Sequence, residues 1–218
     1  MNTNKTNTLM PFFSIIVTTY NRAKLLTRAL DSLIAQTTTD WEVILVDDGS
    51  TDNTYAAILP YLKAHPKIKY VLKEHSGEVY SKNEGIRASQ GKYITFLDSD
   101  DAYDPTHLEN RKHILTQNPE VKFLYGGVHV LGNQFVPDRF DHSKSIHLND
   151  CVIGGSFFVE KEVFHFLNGL KQMPLGTDAD LFDRAQKAGV RMMEAHAKTY
   201  IYHHENQDSI TNKMYLRV

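Results

Sequence analysis

Between residues 12 and 117 the chain alternates four times between an apolar run of strand length and a segment with helical spacing. The runs are FFSIIVT (12–18), WEVILVD (41–47), KIKYVL (67–72) and KYITFLD (92–98). After the first, Leu25, Leu26, Ala29, Leu30, Leu33 and Ile34 fall on one helical face. After the second, Tyr55, Ile58, Leu59 and Leu62 do the same in a helix expected to begin near Asp52, capped by Ser50 or Thr51. A helix over roughly 78–89 follows the third run. Asp104 and Pro105 read as the cap and first turn of another, running to about Gln117. Val43–Val46 is apolar at every position, as in a parallel strand covered on both faces. This cadence predicts an α/β fold, Rossmann-like, with a mainly parallel central sheet flanked by helices.

The second half is less regular. VKFLYGGVHVLG (121–132) and CVIGGSFFVEK (151–161) read as strands on either side of an irregular stretch containing His and Asp. A helix around 179–189 then precedes two short strands, VRMMEAH and KTYIYHH, which suggest a small second sheet. The first eleven residues, polar and closed by Pro11, read as a flexible segment, leaving 12–218 as a single domain.

Open parallel sheets bind ligands beyond the carboxyl ends of their strands. Three polar clusters sit at such ends: Thr18–Arg22, Asp47–Asp52 and Asp98–Asp101. Several carboxylates in the turn Asp98-Ser99-Asp100-Asp101 suit Mn²⁺ or Mg²⁺, which bind carboxylate and phosphate oxygens together; a solvated helix-capping turn is the plainer reading. In Asp47-Asp48-Gly49-Ser50 a carboxylate can accept from a base imide N–H or from ribose hydroxyls, or simply brace its own turn. Tyr20 can stack on a base and Thr18 can bond to it, or Tyr20 can be structural. Asp178 and Asp180 either favour a helix start electrostatically or include a general base for an acceptor hydroxyl. His203 or His204 can add a nitrogen ligand to a carboxylate-held metal. His65, His107, His113 and His165 read as surface or packing residues.

Other classes are excluded by what is missing. No GxGxxG follows the first strand, and neither GxxxxGK[ST], GxSxG nor HExxH occurs. Cys151 is the sole cysteine, so there is no internal disulfide and no cysteine zinc cluster. With 24 basic and 26 acidic residues the charge is balanced, giving no support to nucleic acid as a partner. No apolar run approaches transmembrane length, and MNTNKTNTLMP has no secretory core. The expected location is cytoplasmic, with peripheral attachment to the inner face of a membrane left open. Phe157, Phe158, Phe164 and Phe166 suit either a core or a homo-oligomer interface.

Taken together, FSIIVTTYNR (13–22), SLIAQT (32–37), WEVILVDDGSTDNT (41–54), SKNEGI (81–86), GKYITFLDSDD (91–101), GGSFF (154–158), DADLFDR (178–184) and YHHENQDSIT (202–211) resemble the family 2 glycosyltransferases. These are inverting enzymes of the nucleotide-diphospho-sugar transferase superfamily with the GT-A fold. The resemblance implies a nucleotide-binding half (12–101) and an acceptor-binding half (102–218). It implies Thr18, Tyr20 and Asp48 at the base, usually uracil, Asp98 at the ribose, Asp100 and His204 at Mn²⁺ or Mg²⁺, and Asp178 as catalytic base. Lys82 stands where the family often has arginine, and Thr177 where it usually has glutamate. Lysine keeps the charge there but loses the planar fork.

The implied reaction is transfer from a nucleotide-diphospho-sugar, a UDP-sugar in the usual case, to a hydroxyl of a glycan, a lipid-linked sugar or another acceptor. Polysaccharide or cell-envelope glycan synthesis is the commonest setting. Acceptor selection is expected to depend on the 133–150 loop or on a partner. Two alternatives stand beside this one. A nucleotidyltransferase making a nucleotide-sugar would need a glycine-rich basic loop near the first strand, which TTYNRAKLL lacks. Against a non-catalytic nucleotide-sugar binding module stands the joint retention of Asp48, Asp98, Asp100 and Asp178.

Overall fold

The computed structural model describes residues 10–141 and 143–205. Most of the amino-terminal segment, to residue 9, and the NQDSIT portion of the last motif therefore lie outside the described residues. The first half delivers the expected alternation: β1 (Phe13–Thr19), α1 (Leu26–Ile34), β2 (Trp41–Asp47), α2 (Thr54–Ala64), β3 (Ile68–Leu72), α3 (Glu78–Ala88) and β4 (Tyr93–Phe96). Then come β5 (Ala102–Tyr103), α4 (His107–Gln117), β6 (Phe123–Tyr125), β7 (Val128–Gly132), β8 (Phe135–Pro137) and β9 (Ser145–His147). β10 (Phe158–Glu160), α5 (Lys161–Phe166), α6 (Thr177–Lys187), β11 (Met192–Glu194) and β12 (Tyr200–His204) complete the order.

Seven strands form the central sheet in the order β11-β6-β10-β4-β1-β2-β3. β1 pairs in parallel with both β2 and β4, and β2 with β3. β10 runs antiparallel to both of its neighbours. Two-residue periodicity then divides the core. Phe13, Ile15 and Val17 of β1 meet Leu26, Ala29, Leu30 and Leu33 of α1 on one face. Ile16, with Ile94 and Phe96 of β4, meets α3, α5 and α6 on the other. Covering both faces explains why β2 is buried along its whole length. Phe157, Phe158 and Phe164 belong to this core, whereas Phe166 is exposed.

Strand and helix limits differ from the sequence reading where turn chemistry intervenes. The run 121–132 divides into β6 and β7 because Gly126 and Gly127 both adopt positive φ, which turns the chain out of the central sheet. β7 instead joins β12 and β5 in a separate three-stranded sheet. Of 151–161 only β10 is strand; Gly154–Ser156 is a short 3-10 turn. α2 starts at Thr54, whose N–H donates to Asp52 Oδ1 at 2.9 Å. The Ser50 hydroxyl accepts instead from Asn21 N–H. α4 starts at His107, because Asp104 Oδ1 takes the N–H of Thr106 in a turn before the helix. Within 133–150, β8 and β9 form a hairpin.

Candidate active site

The β1–β2 register sets Thr18 against Val46 and Thr19 against Asp47. On the other side Ile16 faces Phe96. Thr18 and Asp98 each lie two residues beyond that pair, so the three polar clusters gather on one rim. The first two are joined directly. Asn21, at φ 54°, accepts from the backbone N–H of Thr51 at 2.8 Å and of Asp52 at 3.2 Å. Asp47 closes its own turn, accepting from Ser50 N–H and from the Tyr70 hydroxyl, both at 2.8 Å.

Asp48 is buried and surrounded by donors. Oδ1 accepts from Lys73 Nζ at 2.7 Å and Ser76 N–H at 3.0 Å. Oδ2 accepts from Gly77 N–H at 2.8 Å and lies 2.8 Å from His75 Nδ1. Burial raises the carboxyl pKa, but the Lys73 ammonium and the Ser76 and Gly77 N–H groups outweigh it and bring it down to about 2. Gly49 makes this packing possible. It has φ +79°, and a Cβ there would meet His75 N at 2.9 Å. Tyr20, 43% exposed, stacks on the His75 ring with centroids 4.0 Å apart.

In the acidic turn after β4, Asp98 and Asp100 are part-exposed while Asp101 is buried. Asp101 accepts from the Tyr200 hydroxyl at 2.6 Å and from His203 N–H at 2.8 Å. Burial, and then the negative charge of Asp98 and Asp100, push its pKa well up. Asp101 is thus an anchor that brings β12 to the acidic turn. Arg28 adds to the link: its guanidinium donates to the Asp100 carbonyl and lies 3.3 Å from His203 Nδ1. His204 is buried, with Nδ1 2.6 Å from the Asn133 carbonyl oxygen, while its Nε2 has no hydrogen-bond partner among the described residues.

Lys82, on α3, connects the rim to the second half of the chain. Its Nζ lies 3.0 Å from Asp98 Oδ1 and 2.5 Å from Glu78 Oε1. Burial alone would lower its pKa, but these two carboxylates raise it, so the ammonium stays charged. Its charge also acts on Asp178, which stands in the first turn of α6. Asp178 Oδ2 accepts from Gly154 N–H at 3.0 Å and Oδ1 from Ala179 N–H at 2.8 Å. A Cβ on Gly154 would come 3.0 Å from Asp178 Cβ, so glycine lets this approach happen. Burial raises the Asp178 pKa more than the two N–H groups and Lys82 lower it. A carboxylate held that way is a stronger base than one in water.

Residues up to 175 positions apart in sequence are thereby joined through Lys82, Asp101 and Arg28. Sequence reading did not single out Arg28, Lys73 or His75. Each is of a type common on protein surfaces, and only the fold brings it to an acidic turn. His107, expected to be surface or packing, is packing: it is fully buried against Tyr103 and Phe158.

Comparison with known proteins fits this geometry. Residues 14–163 match the model of Glycosyl transferase family 2. The chain belongs to the family 2 glycosyltransferases. The matched segment contains Thr18, Tyr20, Asp48, Lys82, Asp98 and Asp100; Asp178 and His204 lie beyond it. An uncharacterized glycosyltransferase of Rickettsia bellii is 32% identical over 194 residues, 82% of this chain and 28% of that protein. The UDP-Glc:alpha-D-GlcNAc-diphosphoundecaprenol beta-1,3-glucosyltransferase WfgD of Escherichia coli is 30% identical over 146 residues, 65% of this chain and 56% of that protein. The chain thus spans less than two thirds of the length of these relatives.

Among solved structures, S. aureus TarS 1-349 in complex with UDP-GlcNAc superposes with a TM-score of 0.74 at 19% identity, covering 92% of this chain and 60% of that one. The mannosyltransferase PcManGT from Pyrobaculum calidifontis, in complex with GDP-Man and Mn²⁺, gives 0.67 at 24% identity, covering 89% and 57%. Both likenesses are of fold, and the GT-A reading of the central sheet agrees with them. Among the described residues no helix of this family 2 chain is long and apolar enough to cross a membrane.

Proposed function

We propose that this family 2 domain transfers a sugar from a UDP-sugar to an acceptor hydroxyl with inversion, in the assembly of a polysaccharide or cell-envelope glycan. The observation that carries the reading is Lys82, which touches Asp98 on the nucleotide side and acts on the basic carboxylate of Asp178 on the other. A donor diphosphate between these groups would set its anomeric carbon beside a base. Residues 12–101 form the donor half, with Thr18, Tyr20 and Asp48 at the base and Asp98 at the ribose. Residues 102–218 form the acceptor half. UDP-GlcNAc in the TarS complex and UDP-Glc in the name of the WfgD relative support uridine as the nucleoside.

The residues fit a divalent cation. Asp98 and Asp100 have part-exposed carboxylates, and Nε2 of His204, with no partner among the described residues, is a nitrogen that could bind a cation. Asp100 and His204 would hold Mn²⁺ or Mg²⁺, which when bound supplies positive charge against the departing diphosphate. Among the described residues no three His, Cys, Asp or Glu side chains converge into a closed cage. An ion that takes one or two carboxylates and completes its shell with substrate phosphates has no need of one.

The acceptor oxygen bonds to the anomeric carbon from the face opposite the diphosphate, and Asp178 takes its proton. The anomeric C–O bond breaks with its electron pair on the nucleoside diphosphate. Each Asp178 oxygen accepts one backbone N–H and keeps a lone pair for that proton. Lys82 holds its charge at the diphosphate side throughout.

The test is a calorimetric titration of UDP with and without Mn²⁺, on the wild type and on Asp100→Ala. Binding that requires Mn²⁺ and is lost in the variant is the expected result. A folded wild type that binds no UDP in either condition would reject the uridine donor.

A further inference from the structure

The carboxylate that the donor reading gives to the base is already fully engaged. A carboxylate has about four lone-pair sites; that of Asp48 accepts from Lys73 Nζ, Ser76 N–H and Gly77 N–H, and His75 Nδ1 crowds Oδ2 at 2.8 Å. Both oxygens of Nδ1's near neighbourhood, the Asp48 side-chain Oδ2 at 2.8 Å and the Asp48 carbonyl at 3.1 Å, are acceptors. That assigns the proton to Nδ1. Two of the donors are backbone groups that pin the loop between β3 and α3. Lys73 is largely covered and also donates to the Glu74 carbonyl.

His75 differs from these. Its side chain is 54% exposed. Its ring lies flat on Tyr20, at an interplanar angle of 18°. One planar ring thus stacks on Tyr20 while its Nδ1 hydrogen-bonds the Asp48 carbonyl and lies 2.8 Å from the carboxylate Oδ2. Those are the two contacts a uracil base would make there, through its face and its imide N–H.

We infer that His75 sits in the nucleobase seat of the free protein, and that the donor's base displaces it. The inference rests on the reading of Tyr20 and Asp48 as base contacts. Displacement needs little movement. Ser76 and Gly77 hold the loop backbone to Asp48, and the close approach of Gly49 to His75 N holds it from below. Rotation of one exposed side chain therefore clears the seat while the loop stays in place. His75 is then a determinant of donor affinity that acts by competition. The cost of moving it is the same for every base that takes the seat.

The experiment compares UDP affinity, with Mn²⁺ present, for the wild type, His75→Ala and His75→Phe. His75→Ala removes one ring stack and one hydrogen bond to the Asp48 carbonyl, together with the close contact to its carboxylate. The expected gain in affinity is roughly three- to thirtyfold. Phenylalanine keeps the stack but has no N–H to give, so its affinity should fall between the two. In the wild type, the His75 ring proton signals, shifted by the Tyr20 ring, should move on saturation with UDP. Wild-type binding with equal or weaker affinity in His75→Ala would overturn the proposal, leave the base contacts standing and make His75 a wall of the site. Absence of UDP binding by the folded wild type would overturn both readings together. The exposed position of His75 lets both variants fold, which an unchanged thermal midpoint verifies.

Discussion

Asp48 and Asp178 are carboxylates held by opposite halves of the chain, and their surroundings push them in opposite directions. Asp48 is the more fully covered of the two, yet its pKa falls to about 2, because an ammonium and two backbone N–H groups converge on it. Asp178 accepts one N–H on each oxygen, and burial prevails, so its pKa rises. Burial raises both carboxyls; the donors outweigh it at Asp48 and fall short of it at the deeper-set though less fully covered Asp178. The first half of the chain thus holds a fixed negative charge that suits the proposed recognition of the nucleotide, and the second half holds a carboxylate that suits the proposed role of base.

The largest effect should come from removing that base. Asp178→Asn keeps the size and one acceptor oxygen, and is expected to lower turnover about 10²- to 10⁴-fold. UDP affinity should stay within twofold, since Asp178 lies outside the proposed base and ribose contacts. In the wild type the acid limb of kcat should lie above the ordinary carboxylate value. Activity is lost as pH falls through the raised Asp178 pKa. An acid limb at the ordinary value, or undiminished turnover in the variant, would put the base elsewhere. Stability offers a control. A carboxyl whose folded pKa is raised costs stability as pH rises past its unfolded value. Neutral Asn at neutral pH removes that cost, so lost turnover cannot be assigned to charge-driven unfolding.

Asp48→Asn should act on stability instead. The carboxyl falls from its ordinary 3.8 to about 2, which corresponds to about 2 kcal/mol. That stabilisation is fully present above the unfolded pKa and is lost as pH falls through the folded one. Denaturant midpoints of wild type and variant should therefore differ by about 2 kcal/mol at pH 7 and converge between about pH 4 and pH 2. A gap that persists at pH 2 would mean that packing, and not charge, makes Asp48 matter.

The halves also differed in how much of them could be read beforehand. β1, β2 and β4 carry apolar runs and end in polar clusters, those after β2 and β4 acidic, so both the strands and the rim they share were visible in the sequence. A small second sheet was expected, but its strands were not placed, because two positive-φ glycines divide an apparently continuous run and β5 is only two residues long. Asp98, Asp100 and Asp178 could be picked out by residue type and resemblance. Their junction through Lys82 could not, because α3 gives no sign in sequence of which strand end it will face. The saturation of Asp48 was hidden for a related reason: three of its donors come from the loop after β3, whose Lys73, Ser76 and Gly77 read as ordinary turn residues. Asp101 looked like one more metal-ligand candidate, yet Tyr200 and His203, about a hundred positions away, turn it into a structural anchor.

The smallest effect expected is also the one that decides how far the division between halves extends. The β8–β9 hairpin docks on the base-bearing helix through Arg139, whose guanidinium donates to Asp183 at 2.7 Å and lies 4.5 Å from the centroid of the Phe140 ring. Phe140 is 83% exposed, and with Met173, Leu175 and Asp180 it lines a cleft of about 420 Å³ beside the start of α6. An ion pair this open contributes at most about 1 kcal/mol. Arg139→Ala should therefore leave the thermal midpoint nearly unchanged and raise the acceptor KM severalfold, with kcat and UDP affinity intact. If UDP affinity changes instead, the hairpin closes over the donor, and residues from both halves build the nucleotide site. If neither constant moves, acceptor selection lies with other residues, and the hairpin serves only to cover α6.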